Sequence, residues 1–214
     1  MTIKTIGAHR IQHGDIQNGI DELMSGVKAD ILYSDPPWGG GNLKYWATYN
    51  KKTTGAETVP MEFEAFIGKF FGIAESYALK YLLVEYGQRW RDTIQARATG
   101  AGFVPHGIPE TIYGATSQRL RLDLHLFARP GFFYPAGYAE EIQGTKGYDT
   151  VRKSVGPLVA SLAAVGVAEP VILDPCCGMG YTAKAALEFG CRFRGNELNA
   201  ARLAKTEARL RTKP

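Results

Sequence analysis

The chain of 214 residues is poor in cysteine, in long apolar runs and in charge of one sign. Its three cysteines are an adjacent pair, Cys176 and Cys177, and an isolated Cys191, which matches neither a disulfide framework nor a zinc spacing. No apolar run reaches the roughly 18 residues that suggest a membrane helix, and no signal-peptide core follows Met1. We therefore expect no metal, no membrane and a reducing compartment such as the cytoplasm.

The bulk composition is that of an ordinary soluble enzyme, with 45% hydrophobic and 21% charged residues. The length suits one compact domain over residues 1–214. The net charge of +4 is modest but uneven, and a nucleic-acid enzyme needs cations along its phosphate path. Three basic groups are candidates for that path: Arg89, Arg91 and Arg97; Arg119, Arg121 and Arg129; and Arg202, Lys205, Arg209, Arg211 and Lys213.

Strand and helix patterns alternate along the chain. Apolar runs typical of strands occupy residues 29–33, 81–86 and 122–128, and apolar residues at helical spacing occur over 62–77 and 151–162. Such alternation predicts an α/β fold with a mainly parallel sheet covered by helices on both faces.

The segment Asp35-Pro36-Pro37-Trp38 directly follows the first of these apolar runs. A proline pair cannot continue a strand ladder, so the chain must leave the sheet there. Because proline fixes φ and a residue before proline is held extended, the Pro36 carbonyl points in a set direction. Asp35 and this carbonyl become two acceptors beside the flat Trp38 ring, which suits an exocyclic amine on an aromatic base.

A second motif, near the C-terminus, runs from a strand through a glycine turn into a helix. Residues 171–173 are apolar and lead into Asp174-Pro175-Cys176-Cys177-Gly178-Met179-Gly180. The glycines let the backbone approach a ligand closely, and Gly180 lies where the helix begins. A further strand over 191–196 ends at Glu197, an acid about 20 residues beyond the turn, where dinucleotide-type folds hold ribose hydroxyls.

Together the two motifs resemble those of the amino-methyltransferases of DNA, which methylate adenine N6 or cytosine N4 with S-adenosylmethionine. The first resembles the catalytic Asp-Pro-Pro-(Tyr/Trp/Phe) motif, and the second resembles the cofactor motifs. Because the catalytic half comes first, the order is similar to the permuted "beta" group. The resemblance spans about residues 11–210. It implies a mainly parallel, seven-stranded, Rossmann-like methyltransferase sheet with circularly permuted motif order.

The resemblance also implies roles for individual residues. Asp35, Pro36, Pro37 and Trp38 would be catalytic, with Trp38 stacked on the target base. The implied cofactor-binding residues are Asp15, Lys153, Ser154, Asp174, Pro175, Cys176, Gly178, Gly180, Thr182, Glu197 and Asn199. Within this set, Glu197 would bind the ribose, Asp15 the adenine amine, and the turn at 174–180 the methionine end.

Three positions depart from the family pattern. Trp38 replaces the more usual tyrosine, although tryptophan occurs in some branches, including RNA adenosine methyltransferases. The Lys-Pro pair of the family is interrupted here as Lys153-Ser154-Val155-Gly156-Pro157, and the Cys176-Cys177 pair replaces a more usual Phe-x. The first departure weakens any choice between DNA and RNA.

Two stretches are predicted to be loops. Residues 39–58, rich in glycine, aromatics and lysine, are expected to form a flap over the base, and residues 130–150 a target-recognition segment. So short a segment predicts a short or relaxed recognition sequence, because each bidentate base contact adds only about 1–3 kcal/mol of discrimination. The expected partner is DNA, less so RNA, and the expected state is a monomer or homodimer.

The expected activity is methylation of adenine N6 in DNA. Cytosine N4 and RNA adenosine remain open as targets, since these residues do not separate them. A protein glutamine amide is disfavoured, because the corresponding enzymes usually begin the motif with asparagine where this chain has Asp35. A catalytically silent cofactor- or nucleic-acid-binding subunit is an alternative of another class, against which the complete motifs count.

Overall fold

The computed structural model describes residues 1–113 and 120–212. In these ranges one sheet contains nine strands: β1 (Thr2–Ile6), β2 (His9–His13), β3 (Ala29–Ser34), β4 (Ala78–Gly87), β5 (Val104–Gly107), β6 (Glu110–Ile112), β7 (Arg121–Ala128), β8 (Val171–Asp174) and β9 (Arg192–Glu197). Eight helices accompany it: α1 (Asp21–Met24), α2 (Gly40–Thr54), α3 (Phe63–Tyr77), α4 (Arg91–Gly100), α5 (Tyr138–Ile142), α6 (Tyr148–Ala164), α7 (Tyr181–Glu188) and α8 (Ala200–Arg211). None of the helices in the described ranges is long and apolar enough to cross a membrane.

The strand order is β1-β2-β9-β8-β3-β4-β7-β5, with β6 paired to β7. Strands β2, β9, β8, β3 and β4 are mutually parallel, whereas β1, β5, β6 and β7 pair antiparallel at the two ends of the sheet. The predicted α/β class and parallel centre are confirmed. The strand number in the described residues is nine rather than seven, and the edges of the sheet carry a hairpin that turns at Gly7 (φ 55°) and the short strands β5 and β6.

Two apolar clusters cover the two faces of the sheet. On one face α1, α3 and α4 contribute side chains such as Leu23, Phe70 and Ile94, all with no exposed surface. On the other face α6 and α7 contribute Leu158 and Ala183, equally buried. Helices on both faces follow from this arrangement, because a parallel sheet must bury both of its surfaces.

Residues 39–58, predicted to be a loop, instead contain helix α2. Leu43, Ala47 and Asn50 are buried at a spacing of four and three residues, so one face of the helix packs against the domain. Glycines in positive-φ conformations bound it, Gly39 at 91° and Gly55 at 74°. The burial of this face overrides the low helix propensity of the glycines at 40 and 41.

Residues 130–150, also predicted to be a loop, contain α5 and the start of α6. The first half packs at the amino end of β4, where Tyr81 Oη donates to the Phe133 carbonyl (3.1 Å) and Tyr134 Oη donates to the Phe127 carbonyl (2.8 Å). Only the second half returns to the side of the sheet where the parallel strands have their carboxyl ends. There the Thr145 carbonyl accepts from the Ile112 amide. The three aromatic residues at 132–134 therefore lie at the edge away from the carboxyl ends of the parallel strands.

Candidate active site

A cavity of about 950 Å³, counted out to its open mouth, lies at the carboxyl ends of the parallel strands. This is the edge at which open α/β sheets bind ligands. Its floor comes from the residues that follow β2, β3 and β8 and from the end of β9, and α2 forms one wall. Nine of the sequence-predicted residues line it: Asp15, Asp35, Pro36, Pro37, Trp38, Pro175, Cys176, Glu197 and Asn199.

Asp35 stands directly after β3 and lines the cavity, whose open mouth leaves the residue exposed. Loss of hydration inside the pocket, then the charge of Glu85, raises its pKa well above the usual range; the nearby Asp174 adds to this, while Trp38 and Arg202 act against it. The carboxyl group is therefore more basic than an ordinary aspartate, and its ionised form can accept a proton inside the pocket.

Trp38 donates a hydrogen bond from its indole Nε1 to Asp35 Oδ1 (2.8 Å). Its ring also meets Tyr113 edge-on, with centroids 5.0 Å apart. Trp38 thus holds one carboxylate oxygen as well as offering a ring, a contact that sequence reasoning did not foresee. Among the described residues none donates to Asp35 Oδ2 or to the Pro36 carbonyl, whereas the Pro37 carbonyl accepts from Tyr86 Oη (2.7 Å).

Asp174 lies behind the cavity wall and supports it. Its carboxylate accepts from Ser34 Oγ (2.8 Å), Thr182 Oγ1 (2.7 Å) and the Cys176 amide (3.1 Å). Burial raises its pKa to about 6 despite these hydrogen bonds. Asp174 thereby joins the strand that leads into Asp35 to the turn that carries Cys176, and Thr182 acts through Asp174 rather than facing the cavity.

Glu197 closes the carboxyl end of β9 and is only 6% exposed. Its Oε2 accepts from the Gly178 amide (2.8 Å) and its Oε1 from the Asn199 amide (2.9 Å). Each oxygen keeps a lone pair for a further donor, because a carboxylate has about four acceptor sites. The glycine turn is therefore tied to Glu197 by hydrogen bonds as well as by sequence order.

The two glycines of the turn make room for α8. A Cβ on Gly178 would lie 2.5 Å from the Arg202 guanidinium, and one on Gly180 would lie 2.7–3.0 Å from atoms of Thr206. Both have positive φ, 53° and 83°. Neither lines the cavity, so their requirement arises from helix packing more than from close approach to a ligand.

Asp15 and Asn199 follow the ends of the adjacent strands β2 and β9, and both line the cavity. Asp15 accepts from the Gln17 amide (2.9 Å) and begins a short 3₁₀ helix. Asn199 begins α8 and donates from Nδ2 to Asn50 Oδ1 (3.1 Å) and Thr53 Oγ1 (2.7 Å) on α2. Asn199 therefore docks the α2 wall onto the start of α8.

Lys153 and Ser154 lie elsewhere. Both belong to α6, where Lys153 pairs with Asp149 (3.4 Å) and the buried Ser154 donates to the Thr150 carbonyl. Neither side chain lines the cavity. The interruption of the Lys-Pro pair in the sequence is the signal that weakened this match.

Three further residues line the site: Tyr113, which the sequence did not indicate, Trp46, expected only as part of the flap, and Arg202, expected only in the phosphate path. Arg202 lines the cavity and stacks its guanidinium 4.0 Å from the Trp46 ring centroid. A cation in the first turn of a helix is unfavourable for the helix dipole. That placement, three residues after Asn199, is a signal that could have separated Arg202 from the other cations of α8.

Several cations of the predicted phosphate path are engaged within the protein. Arg91 pairs with Asp123 (2.7 Å), Arg97 with Glu64 (2.5 Å), and Arg121 with Glu110 (3.0 Å). Arg129 donates to three backbone carbonyls. Two others, Arg119 and Lys213, lie outside the described residues.

No family model and no curated protein sequence matches the chain. Solved structures do. M1.HpyAVI in complex with SAM has a TM-score of 0.64 at 14% identity, over 94% of this chain and 98% of that one. TTHA0409 of Thermus thermophilus, described as a candidate DNA modification methylase, has a TM-score of 0.60 at 17% identity over 95% and 94%. The cytosine-N4-specific PvuII DNA methyltransferase has a TM-score of 0.56 at 11% identity over 97% and 90%.

These similarities cover nearly the whole of each chain. The protein therefore has the fold of DNA methyltransferases, as the resemblance of its two motifs implied. At identities of 11–17% the shared feature is the fold.

Proposed function

We propose that this protein transfers a methyl group from S-adenosylmethionine to the exocyclic amine of a base in DNA, with adenine N6 as the target. One observation carries the proposal: Asp35, Pro36 and Trp38 open into the same cavity as Glu197 and Cys176. The two motifs are far apart in the sequence and meet at one edge of the sheet. The DNA methyltransferase and DNA modification methylase among the structural neighbours, and the complexes with this cofactor, support the same function.

The residues present fit S-adenosylmethionine. Glu197 has lone pairs to accept from ribose hydroxyls, and Asp15 can accept from an adenine amine. Between them the cavity offers apolar surface from Ile16, Pro175 and Cys176. Burial raises the pKa of the Cys176 thiol well above its usual range, so this thiol is a neutral packing group. Bound there, the cofactor supplies an electrophilic methyl group.

Asp35 and the Pro36 carbonyl would hold the amine. Its two hydrogens would bond to Asp35 Oδ2 and the Pro36 carbonyl, since Oδ1 already accepts from Trp38. Two fixed acceptors stabilise the positive charge that develops on the nitrogen during attack. Asp35 then takes the proton that the methylated nitrogen releases. The base must swing out of a duplex to reach these groups. The rings of Trp38 and Tyr113 line the part of the cavity that would receive it.

Cytosine N4 is the second candidate target, favoured by the structural similarity to the cytosine-N4-specific PvuII enzyme. An RNA adenosine is the third, because Trp38 occupies the position where some RNA enzymes have tryptophan. A silent binding subunit is disfavoured by the presence of Asp35, Glu197 and the cavity that joins them.

The experiment that tests the proposal measures transfer of a tritiated methyl group from S-adenosylmethionine to duplex DNA, single-stranded DNA and RNA. Nucleoside analysis of the product identifies the base. We expect N6-methyladenine in DNA. N4-methylcytosine or methylated RNA would identify a different target for the same methyl transfer. Binding of the cofactor without transfer to any of the three nucleic acids would favour the silent subunit.

Replacing Trp38 by phenylalanine is expected to lower kcat about ten-fold at neutral pH while cofactor affinity stays unchanged. The ring is kept, but the hydrogen bond that stabilises ionised Asp35 is lost, so the pKa of Asp35 rises further. A smaller fraction of Asp35 is then ionised, and activity should recover as pH rises. The measurement is the pH dependence of kcat.

Trp46→Phe is the matched control for this prediction. It makes the same chemical change on α2, where Trp46 Nε1 donates to Asn42 rather than to Asp35. The acid limb of its pH profile of kcat should coincide with that of the wild type. If the acid limb of Trp38→Phe also coincided with that of the wild type, the indole N–H would have no influence on the pKa of Asp35.

A further inference from the structure

Glu85 is a buried acid that no step of the proposed reaction uses. It lies near the end of β4, is 7% exposed, and does not line the cavity. Its Oε2 accepts from Tyr33 Oη (3.1 Å) and its Oε1 accepts from Thr111 Oγ1 (2.6 Å). No lysine or arginine of the described residues forms an ion pair with it. A buried carboxylate without a cationic partner is costly, and such groups cluster at functional sites.

The strand register brings Glu85 beside Asp35. Ser34 of β3 pairs with Val84 of β4, so Asp35 and Glu85 are the next residues along two parallel strands. Tyr33, two residues before Asp35, shares its face of the sheet and hydrogen-bonds to Glu85. Glu85 is therefore the neighbour of Asp35 on the adjacent strand, outside the cavity lining.

Strand β6 and the residue that follows it support this pair from two directions. Thr111 donates to Glu85, and Tyr113, two residues later, meets Trp38, whose indole donates to Asp35. Glu85 and Trp38 thus act on the same carboxyl group in opposite senses. The charge of Glu85 raises the pKa of Asp35, and the Trp38 hydrogen bond lowers it.

We propose that Glu85 is a positioning residue for the proposed methyl transfer, whose buried charge keeps Asp35 basic enough to take the proton that the amine releases. The inference rests on the proposed function. In the step concerned, the amine nitrogen forms a bond to the methyl carbon, the electron pair of the S–C bond leaves with sulfur, and the N–H proton passes to Asp35. A second negative charge beside Asp35 favours that proton transfer. Burial raises the pKa of Glu85 too.

Other groups also act on Asp35, and the experiment must separate them from Glu85. Those that influence its titration or titrate beside it are Glu85 and Tyr86 on β4, Asp174 and Cys176 at the end of β8, Arg202 on α8, Tyr33 on β3, and Trp38 and Tyr113 beside the cavity. Among the charges that raise the pKa of Asp35, Glu85 has the larger effect and Asp174 the smaller. A single neutralisation at Glu85 therefore removes the main one.

The test is Glu85→Gln, read by carbon-13 NMR titration of the Asp35 carboxyl carbon in the full chain. Glutamine keeps the size, and the two hydroxyls can rotate to bond to its amide, so the fold should be retained. The Asp35 midpoint should fall by at least about one pH unit, and the acid limb of kcat should move to lower pH with a fall of about ten-fold in kcat at its plateau. The Kd for S-adenosylmethionine should be unchanged.

Glu110→Gln is the control, the same change at a partly exposed acid on β6 that pairs with Arg121. It should leave the Asp35 midpoint unchanged. Asp35→Asn, read at the Glu85 carboxyl carbon, gives a second measurement that does not depend on folding of Glu85→Gln. By reciprocity the Glu85 midpoint should fall in that variant.

The proposal would be overturned by an Asp35 titration midpoint that is the same in Glu85→Gln and wild type, or by a Glu85 midpoint that Asp35→Asn leaves unchanged. The NMR titrations need no substrate, so they test the role of Glu85 separately from the proposed function. Failure of wild-type protein to methylate any nucleic acid would refute the proposed function while the coupling of the two acids could still be measured.

Discussion

Asp35→Asn is expected to lower the rate of methyl transfer to DNA by at least about 10³-fold while S-adenosylmethionine binds with nearly wild-type affinity. Asparagine can turn either an oxygen or an NH₂ to the amine, but it takes no proton and carries no charge. Removal of one group that stabilises transition-state charge commonly costs about 10²–10³ in rate, and here the proton acceptor is lost as well. Asp35→Ala should be at least as inactive.

Asp15→Asn is the matched control, because it neutralises another aspartate of the same cavity. Asp15 is expected to contact the cofactor and not the base, so this variant should raise the KM for S-adenosylmethionine and leave kcat close to wild type. Single-turnover assays and equilibrium binding measure the two effects separately. Retained turnover in Asp35→Asn would contradict the assignment of Asp35.

Glu197→Ala is expected to lower the free energy of unfolding by about 3 kcal/mol and to abolish cofactor binding. Two backbone amides, those of Gly178 and Asn199, lose their acceptor at a site where water has little access. Each unsatisfied buried donor costs about 1–3 kcal/mol. For a chain of this size the change corresponds to roughly 10 °C in melting temperature. Thermal unfolding and calorimetric titration with S-adenosylmethionine measure the two losses.

Glu188→Ala is the control for that prediction. Glu188 accepts from Arg152 (2.6 Å) at the surface and approaches no cavity residue. An exposed ion pair of this kind contributes at most about 1 kcal/mol. If both glutamates had equally small effects on unfolding, the two amide hydrogen bonds of Glu197 would have no structural importance. Cofactor binding retained by Glu197→Ala would refute its proposed contact with the ribose.

The two motifs were readable in the sequence because their information is local. Asp35-Pro36-Pro37-Trp38 ends a strand through proline chemistry, and the run from Asp174 to Gly180 has the glycines that a strand–turn–helix junction requires. The strands over 81–86 and 122–128 and the helix over 62–77 were likewise predictable. The strands are buried on both faces and contain short apolar runs, whereas the helix buries one face and repeats its apolar residues at helical spacing.

Helix α2 and the path of residues 130–134 were not predictable in this way. Local composition at 39–58 favours a loop, and only packing of Leu43 and Ala47 against the domain stabilises a helix there. Residues 132–134 carry aromatic side chains that suit either a recognition surface or a core. The edge of the sheet on which they lie depends on the antiparallel pairing of β7 with β4.

The sequence by itself determined the fold class, the two motifs and the proposed chemistry, since each depends on residues adjacent in the chain. Only the tertiary structure decided which residues share the cavity. It placed Asp35 beside Glu85 through strand register, brought Arg202 and Trp46 together, and kept Lys153 and Ser154 away. The physical reason is that pKa values and cavity walls arise from contacts between residues distant in sequence, which local patterns do not specify.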